Sequence, residues 1–486
     1  GRGGRFGSRP SGPPAPKVNP ARDAVCRFVA YQTRKFPDLS LEPLQTEGMS
    51  DRDAAFAHHL YNLVVTRWFT CQHLLQEHLN KPWREMIPPA KAGLLVGAAQ
   101  ILFMDRVPIR AAVHESVGWV KSNGGLNTGK MVNAILRRIG ALVEFEPEVD
   151  PEAEVEMPKP GERMREPEMQ RRFRDRWTDR TDELPLPDGR ALRLTADALP
   201  DDPMRRLEVA TSHPLGLLQS WAKHMSLSEV RAIATHGIAS PPVIVNTTHA
   251  TSELPTDALR AHSVPGHHLY TGPMSNLGRF LSERDDLWVQ DPASTLAVGS
   301  IADLRPRVIY DVCAGLGTKT RQLAQSFPGA KIVATDIDVV RLAGLQRAFA
   351  DHPRVEVIKH EELQTRSDVC DLVVLDVPCT NTGVLARRPE ARYRHQPRRV
   401  DELIGVQRQI IADAIRLLPG AGASGGGAIL YSTCSLDPRE NEEQAKWARK
   451  WHDFEITREH RRLPEGGPGG PDERYTDGSY AVLLTR

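Results

Sequence analysis

The stretch RVIYDVCAGLGTKTRQLAQSF, residues 307–327, decides the fold of the second half of the chain. It starts as an apolar strand, passes through small residues and continues as the helix TRQLAQSF. Small residues let a ligand approach the backbone, and the helix start offers free N–H groups to an anion. The G-K-[ST] ending of a Walker loop is absent, and only Gly315 and Gly317 fit G-x-G-x-x-G. The stretch predicts a ligand loop or, alternatively, a plain tight turn.

The alternation of strand and helix patterns continues beyond this stretch. Further strands are predicted at KIVATDI, VEVIKH, DLVVLDV and AILYSTCS, most of them joined by helix-length connections. Such alternation predicts a parallel sheet covered by helices on both faces. In sheets of this kind, the ligand binds beyond the carboxyl ends of the strands. We therefore expect an α/β, Rossmann-like domain whose site lies at that edge.

Asp336 closes KIVATD some twenty residues after the glycine turn. An acid at the end of the second strand is placed to accept hydrogen bonds from ribose hydroxyls. A helix N-cap is the alternative role, although Asp338 could fill it. Together with the glycine turn, Asp336 indicates a cofactor that carries a nucleoside.

Two cysteines lie at the predicted carboxyl ends of strands. Asp376 ends an apolar strand that Pro378 prevents from continuing, which puts Cys379 at the binding edge. Cys434 ends the next strand, before a helix for which Asp437 is the expected cap. For either cysteine alone, core packing would be the better interpretation, as it is for Cys313 and Cys370. Two thiols and an aspartate facing one cleft favour chemistry instead.

Methylation of cytosine at carbon 5 is a reaction that uses a thiol, a carboxylate and a nucleoside cofactor in one cleft. Carbon 5 is a poor nucleophile until a thiolate adds to carbon 6, after which carbon 5 can attack an electrophilic methyl group. The carbon 5 proton then leaves and the thiol is expelled. The thiol must ionise, and an acid at the polar edge of the base would offset charge that builds up in the ring.

The rest of the chain divides by composition. We predict a disordered basic tail at 1–21, an all-helical domain at 22–140 and a charged linker at 141–205. Residues 206–300 then form the first part of the catalytic half, and 301–486 form the Rossmann-like domain. With 486 residues, the chain is long enough for several cores.

Composition excludes several classes of protein. No apolar run is long enough to span a bilayer, and the first residues lack the apolar core of a signal peptide, so we expect a cytoplasmic protein without a membrane segment. The six cysteines are scattered and include no C-x-x-C pair. This argues against a disulfide scaffold, and we expect no metal site. The net charge of +1 conceals a basic start and an acidic stretch at 144–156, which we interpret as solvated segments.

Several motifs resemble those of the Nop/Sun RNA cytosine-5 methyltransferases. DVPCTNTG (376–383) is similar to D-A-P-C-S-G-T-G, YSTCSLDPRENE (431–442) to Y-S-T-C-S-x-x-P-E-E-N-E, and DVCAGLGTKT (311–320) to D-A-C-A-A-P-G-G-K-T. VQDPASTLAV, DGSYAVLLTR and TSHPLGLLQSW also resemble family elements, and three helical stretches of the front domain resemble the NusB-type RNA-binding domain. The resemblance covers most of 22–140 and 205–486.

The resemblance implies a role for each matching residue. It makes Cys434 the nucleophile and Cys379 the helper in product release, and it places Asp376 against the cytosine and the methyl donor. The implied cofactor is S-adenosylmethionine, and the implied substrate is small-subunit (16S) ribosomal RNA, bound by a monomer. The residues expected to hold the cofactor are Cys313, Ala314, Gly315, Leu316, Gly317, Thr318, Lys319, Asp336, Glu361 and Asp376. Glu361 stands where the family has an aspartate, and AGLGT replaces A-A-P-G-G.

Two questions stay open from the sequence. Arg387, Arg388, Arg392 and Arg394, with Tyr393 among them, either contact RNA or form a solvated loop. A non-catalytic RNA-binding or ribosome-assembly factor that retains the fold is the alternative function, although the retained cysteines and Asp376 argue against it.

Overall fold

The structure is a computed structural model that describes residues 19–147, 169–366, 370–419 and 427–486. The predicted basic tail at 1–21 falls almost entirely outside the described residues, and its last two residues already belong to the first helix. Part of the predicted linker, at 148–168, also lies outside them. The chain forms two compact units.

The first unit contains the described residues up to Phe173, together with 181–183 and 192–199. Its helices are α1 (Pro20–Lys35), α2 (Asp51–Thr66), α3 (Trp68–Gln76), α4 (Pro88–Phe103), α5 (Ile109–Gly124) and α6 (Leu126–Ala141). Helix α4 is apolar on all sides and almost fully buried, as expected for a central helix. The other helices bury one face against it. The all-helical front domain predicted from the sequence is thus confirmed.

The described part of the predicted linker contains strands that the sequence did not predict. They are β1 (Phe145–Pro147), β2 (Met169–Arg171), β3 (Phe173–Arg174), β4 (Glu183–Pro185) and β5 (Ala191–Arg193). Strands of two or three residues are too short to show the alternation that identifies a strand. The charges of this segment also pair with each other, because the Glu144 carboxylate lies 2.6 Å from Arg172 and 2.8 Å from Arg193. This segment is therefore partly structured.

The second unit begins with helices and a small antiparallel sheet. The helices are α7 (Pro203–Thr211), α8 (Leu215–Trp221), α9 (Leu227–His236), α10 (Leu277–Ser282) and α11 (Pro292–Gly299). The strands are β6 (Ile244–Asn246), β7 (Leu259–Ala261), β8 (His267–Tyr270) and β9 (Trp288–Val289), in the order β7-β8-β6-β9.

The rest of the second unit is built on a seven-stranded sheet in the order β12-β11-β10-β13-β14-β16-β15. Its strands are β10 (Val308–Asp311), β11 (Lys331–Ala334), β12 (Val355–Val357), β13 (Leu372–Asp376), β14 (Ala428–Thr433), β15 (Glu455–Arg462) and β16 (Ser479–Thr485). The helices are α12 (Thr318–Ser326), α13 (Val339–Ala348), α14 (Ala391–Arg394), α15 (Pro397–Ala414) and α16 (Glu442–His452). Strands β10 to β14 are parallel, as predicted, whereas β15 and β16 add an antiparallel edge that was not predicted.

Both faces of this sheet are buried. Leu372 and Val374 of β13 face one hydrophobic cluster, and Val373 and Leu375 face the other. A strand buried on both faces is an uninterrupted apolar run, which is the pattern that predicted β13. Because β10, β11, β13 and β14 are parallel, the residues that follow them meet at one edge, where the predicted site lies.

Candidate active site

The loop after β10 presents backbone to the carboxyl edge of the sheet. Gly315 and Gly317 have φ angles of 60° and 90°, in the left-handed region that favours glycine. A Cβ on Gly317 would lie 2.4 Å from the Phe349 ring, so this position has no room for a side chain. Helix α12 then begins at Thr318.

Asp336 fixes this loop to the end of the neighbouring strand. Its Oδ2 accepts the N–H of Gly315 and its Oδ1 accepts the N–H of Asp338, each at 2.9 Å. Asp338 caps α13 by accepting from Val340 and Arg341, so Asp336 is not the helix cap. Each oxygen of Asp336 keeps a lone pair with which it can bind a ligand.

Lys319 and Asp376 form an ion pair at the centre of the edge. The Lys319 Nζ lies 2.7 Å from Oδ2 of Asp376, and the Ser432 hydroxyl donates to Oδ1 at 2.9 Å. Ser432 is the register partner of Asp376 on the adjacent parallel strand. Burial alone lowers the pKa of Lys319, but the Asp376 carboxylate outweighs it and raises that pKa. The lysine therefore stays charged, and the aspartate remains 38% exposed to the cleft.

The two predicted cysteines lie side by side. The Sγ atoms of Cys379 and Cys434 are 3.4 Å apart, although the residues are 55 positions apart in the chain. The hydrogen bond with Cys434, followed by burial, raises the pKa of Cys379 well above its ordinary value. Cys379 therefore retains its proton, and it is more buried than Cys434.

Glu440 joins the two cysteine-bearing loops and was not predicted. Its buried carboxylate accepts the backbone N–H and the hydroxyl of Thr380, which follows Cys379, at 3.0 and 2.5 Å. It also accepts the hydroxyl of Ser435, which follows Cys434, at 2.5 Å, and Nε2 of Gln407 at 3.0 Å. Burial raises the pKa of Glu440, and these hydrogen bonds oppose that rise. The sequence signal that could have identified Glu440 is its place in the motif PRENE.

Two parts of the chain match the models of known protein families. Residues 302–466 match the family model of the 16S rRNA methyltransferase RsmB/F, and residues 23–141 match that of the NusB family. The chain therefore contains a region similar to RsmB/F methyltransferases and a separate region similar to NusB proteins. Ribosomal RNA small subunit methyltransferase B of Vibrio cholerae is 25% identical over 461 residues, which are 91% of this chain and 92% of that protein. The protein of the same name from Cronobacter sakazakii is 26% identical over 438 residues, or 87% and 89% of the two chains.

A solved structure shares the fold. The crystal structure of PH0851 has a TM-score of 0.66 and 17% sequence identity, and the match covers 96% of this chain and 99% of that one. At this identity the likeness concerns the fold alone.

The cofactor of this chain is S-adenosylmethionine, and the residues at the sheet edge fit it. Asp311, which was not predicted, is buried beneath the glycine loop, and its Oδ2 accepts the Thr320 hydroxyl at 2.7 Å. Its Oδ1 has no hydrogen-bond partner among the described residues. Burial raises the pKa of Asp311 to about 7, partly opposed by the Thr320 hydrogen bond. With Asp336 and Asp376, it supplies acceptors suited to a positively charged ligand.

The remaining predicted cofactor residues are distributed around this loop. Ala314 is buried and Leu316 is 68% exposed, whereas Cys313 is half-buried. Burial strongly raises the pKa of Cys313, which makes it an unreactive thiol. Glu361 lies in the short turn after β12 and is exposed. Its role in binding the cofactor stays a prediction.

The arginine cluster after Cys379 is largely structural. Arg392 is fully buried and donates to the carbonyls of Gly237 and Thr211 at 2.6 and 3.0 Å. Arg387 pairs with Asp477 at 2.7 Å and with Asp291 at 3.2 Å, and Tyr393 is buried. Neither interpretation offered by the sequence, an RNA contact or a solvated loop, fits these three residues. Arg388 remains exposed.

The described ranges contain no group of three or more histidine, cysteine, aspartate or glutamate side chains that could hold a metal ion. None of their helices is both long and apolar enough to cross a membrane.

Proposed function

We propose that this chain methylates carbon 5 of a cytosine in small-subunit (16S) ribosomal RNA through a covalent adduct between Cys434 and carbon 6. The observation that carries the proposal is the pair of sulfurs, 3.4 Å apart, at the ends of adjacent strands. Methyl transfer by itself needs no thiol, whereas addition to carbon 6 and later elimination need one.

The environments of the two thiols support different roles. Cys434 is the less buried of the two and is the one that an incoming base can reach. Its thiolate adds to carbon 6, and after carbon 5 has been methylated the sulfur–carbon bond breaks as carbon 5 gives up its proton to water. Cys379 keeps its proton because its pKa is raised, and its S–H can donate to the sulfur of Cys434 as that sulfur departs. Cys379 thus assists release of the product.

The ion pair of Lys319 and Asp376 supplies the polar contacts of the reaction. The exposed part of the Asp376 carboxylate can accept a hydrogen bond from the exocyclic amino group of cytosine. The Lys319 ammonium group, 2.7 Å from that carboxylate, places positive charge where negative charge develops during the addition. Both side chains are held before substrate arrives, which lowers the cost of reorganisation.

S-adenosylmethionine supplies an electrophilic methyl group when bound. The residues that would hold it are those of the loop at 313–319, with Asp311, Asp336, Glu361 and Asp376. The loop offers backbone groups, and the carboxylates offset the positive charge of the ligand. The NusB-like helical domain and the segment at 206–300 would bind the RNA.

The test is transfer of a labelled methyl group to RNA. The protein is incubated with labelled S-adenosylmethionine and small-subunit RNA, either free or in a partly assembled subunit, and the modified nucleoside is identified by mass spectrometry. We expect label on carbon 5 of cytosine. RNA binding without any transfer would support an assembly factor instead, and label on another atom would disprove the thiol mechanism.

A further inference from the structure

Asn381 contacts both cysteine-bearing loops through its side chain. Its Nδ2 donates to the backbone carbonyl of Cys379 at 2.9 Å. Its Oδ1 accepts the thiol of Cys434 at 3.1 Å. Nothing in the roles assigned so far uses this residue, although it touches the sulfur proposed to attack the base.

The backbone at Asn381 explains which residues this position tolerates. Its φ angle is 59°, in the left-handed region that costs most side chains free energy. The family motif D-A-P-C-S-G-T-G has glycine at the matching place, and asparagine is among the residues that adopt this conformation most readily after glycine. The chain therefore keeps the backbone of the motif and adds an amide group beside the sulfur.

The hydrogen bonds determine which way the amide faces. The carbonyl oxygen of Cys379 can only accept, so the NH₂ group of Asn381 must point to it. The amide oxygen is then left facing Cys434, and an amide oxygen can only accept. This fixes Cys434 as the donor in the resting enzyme. The thiol of Cys379 can donate in turn to the sulfur of Cys434, 3.4 Å away.

We propose that Asn381 is a further catalytic residue, whose amide oxygen holds the Cys434 thiol in its protonated form and in a fixed direction until the cytosine arrives. The proposal rests on the proposed function, because it takes Cys434 as the attacking thiol. A hydrogen bond accepted from the neutral form of an acid favours that form over the ionised one, and here it opposes the charge of Lys319, which interacts with Cys434 and favours the thiolate. Loss of this bond should therefore make Cys434 ionise at lower pH, by about half to one pH unit.

The experiment measures the pH midpoint of iodoacetamide alkylation at Cys434 in the full chain, with the modified peptide quantified by mass spectrometry. Asn381→Gly removes the amide and keeps the left-handed backbone, so we expect the variant to fold and the midpoint to fall by about half to one unit. Asn381→Asp places a negative charge about 3 Å from the sulfur, so we expect its midpoint to rise. Loosening of the cleft would move both variants in the same direction.

Cys313 in the same samples serves as the internal control. Its thiol is half-buried and resists ionisation, so it should stay unmodified in every variant unless the cleft opens. An unchanged Cys434 midpoint in Asn381→Gly, or shifts of the same sign in both variants, overturns the inference.

A parallel methylation assay separates the two proposals. If the wild type transfers methyl groups to carbon 5, we expect the acid limb of its pH–rate profile to move to lower pH in Asn381→Gly, in step with alkylation. If the wild type transfers none, the proposed function fails and the catalytic role of Asn381 fails with it, whatever the alkylation shows. A methylating wild type without the alkylation shift overturns the inference alone.

Discussion

The two sides of the cleft are built on different principles. On the cofactor side, the loop at 313–319 offers backbone groups, and Asp336 holds it by accepting the backbone N–H of Gly315. On the cysteine side, side chains cross-link the loops: Glu440 bonds to Thr380 and Ser435, and Asn381 bonds to Cys434. A binding surface formed by main-chain atoms tolerates the substitution of side chains. A hydrogen-bond network of buried side chains does not tolerate it. This difference explains why the cofactor loop can read AGLGT while both cysteines and Asp376 are retained.

The largest effect is expected from the cysteines. Cys434→Ala should abolish both methyl transfer and covalent RNA adducts, because it removes the only thiol assigned to attack. Cys379→Ala should instead let an adduct accumulate, because elimination loses its proton donor. The adducts can be measured with unmodified RNA, by gel shift under denaturing conditions, with the wild type as the reference that releases its product. Adduct with Cys434→Ala but not with Cys379→Ala would reverse the two roles.

Removal of Glu440 should give the next largest effect. Glu440→Ala leaves the Thr380 N–H, the Ser435 hydroxyl and the Gln407 amide without their buried acceptor. We expect a loss of unfolding free energy of about 3 kcal/mol, measured by urea denaturation. Glu440→Gln keeps the volume and one oxygen, so its loss should be smaller. If Glu440→Ala leaves the free energy of unfolding unchanged, other contacts hold the cysteine loops.

Sequence patterns predicted the parts of the site that depend on strand ends. Cys379, Cys434, Asp376 and Asp336 follow apolar runs, and parallel strands bring such ends to one edge. Glu440 was missed because a buried acid in a helix-start motif cannot be distinguished from an exposed capping residue without its neighbours. The same holds for Asp311, whose burial becomes visible only when the loop above it is placed.

The fold shows a similar division. The central parallel strands were predicted because their apolar runs alternate with helix patterns, and β13 and β14 are also buried along nearly their whole length. Strand β15 has polar or charged residues at nearly every position and lies at the edge of the sheet, so its sequence lacks that pattern. Strands β1 to β5 are too short for any period to show. Contacts between residues distant in sequence decide these elements, and a local pattern does not contain them.

A pair of glycine variants measures how far the cofactor side depends on backbone shape. Gly317→Ala places a Cβ 2.4 Å from the Phe349 ring at a φ of 90°, so we expect a loss of about 2–3 kcal/mol in unfolding free energy and weaker binding of S-adenosylmethionine. Gly315→Ala is the matched control, with a positive φ but open space around the Cβ, and should cost about 1 kcal/mol. Equal losses would show that crowding at Gly317 is unimportant.

The smallest effect is expected at Leu316, where the family has proline. Its side chain is 68% exposed, so Leu316→Ala should change the unfolding free energy by no more than about 0.5 kcal/mol. If the loop binds S-adenosylmethionine through its backbone alone, Leu316→Ala should change the affinity, measured by calorimetry, by no more than about threefold. The reason is that the Leu316 side chain would then contribute less than about 1 kcal/mol to the binding free energy. Leu323→Ala, at a fully buried position of α12, is the contrasting control and should cost about 2–5 kcal/mol. A tenfold loss of affinity in Leu316→Ala would contradict the comparison, because the cofactor side would then also depend on a side chain.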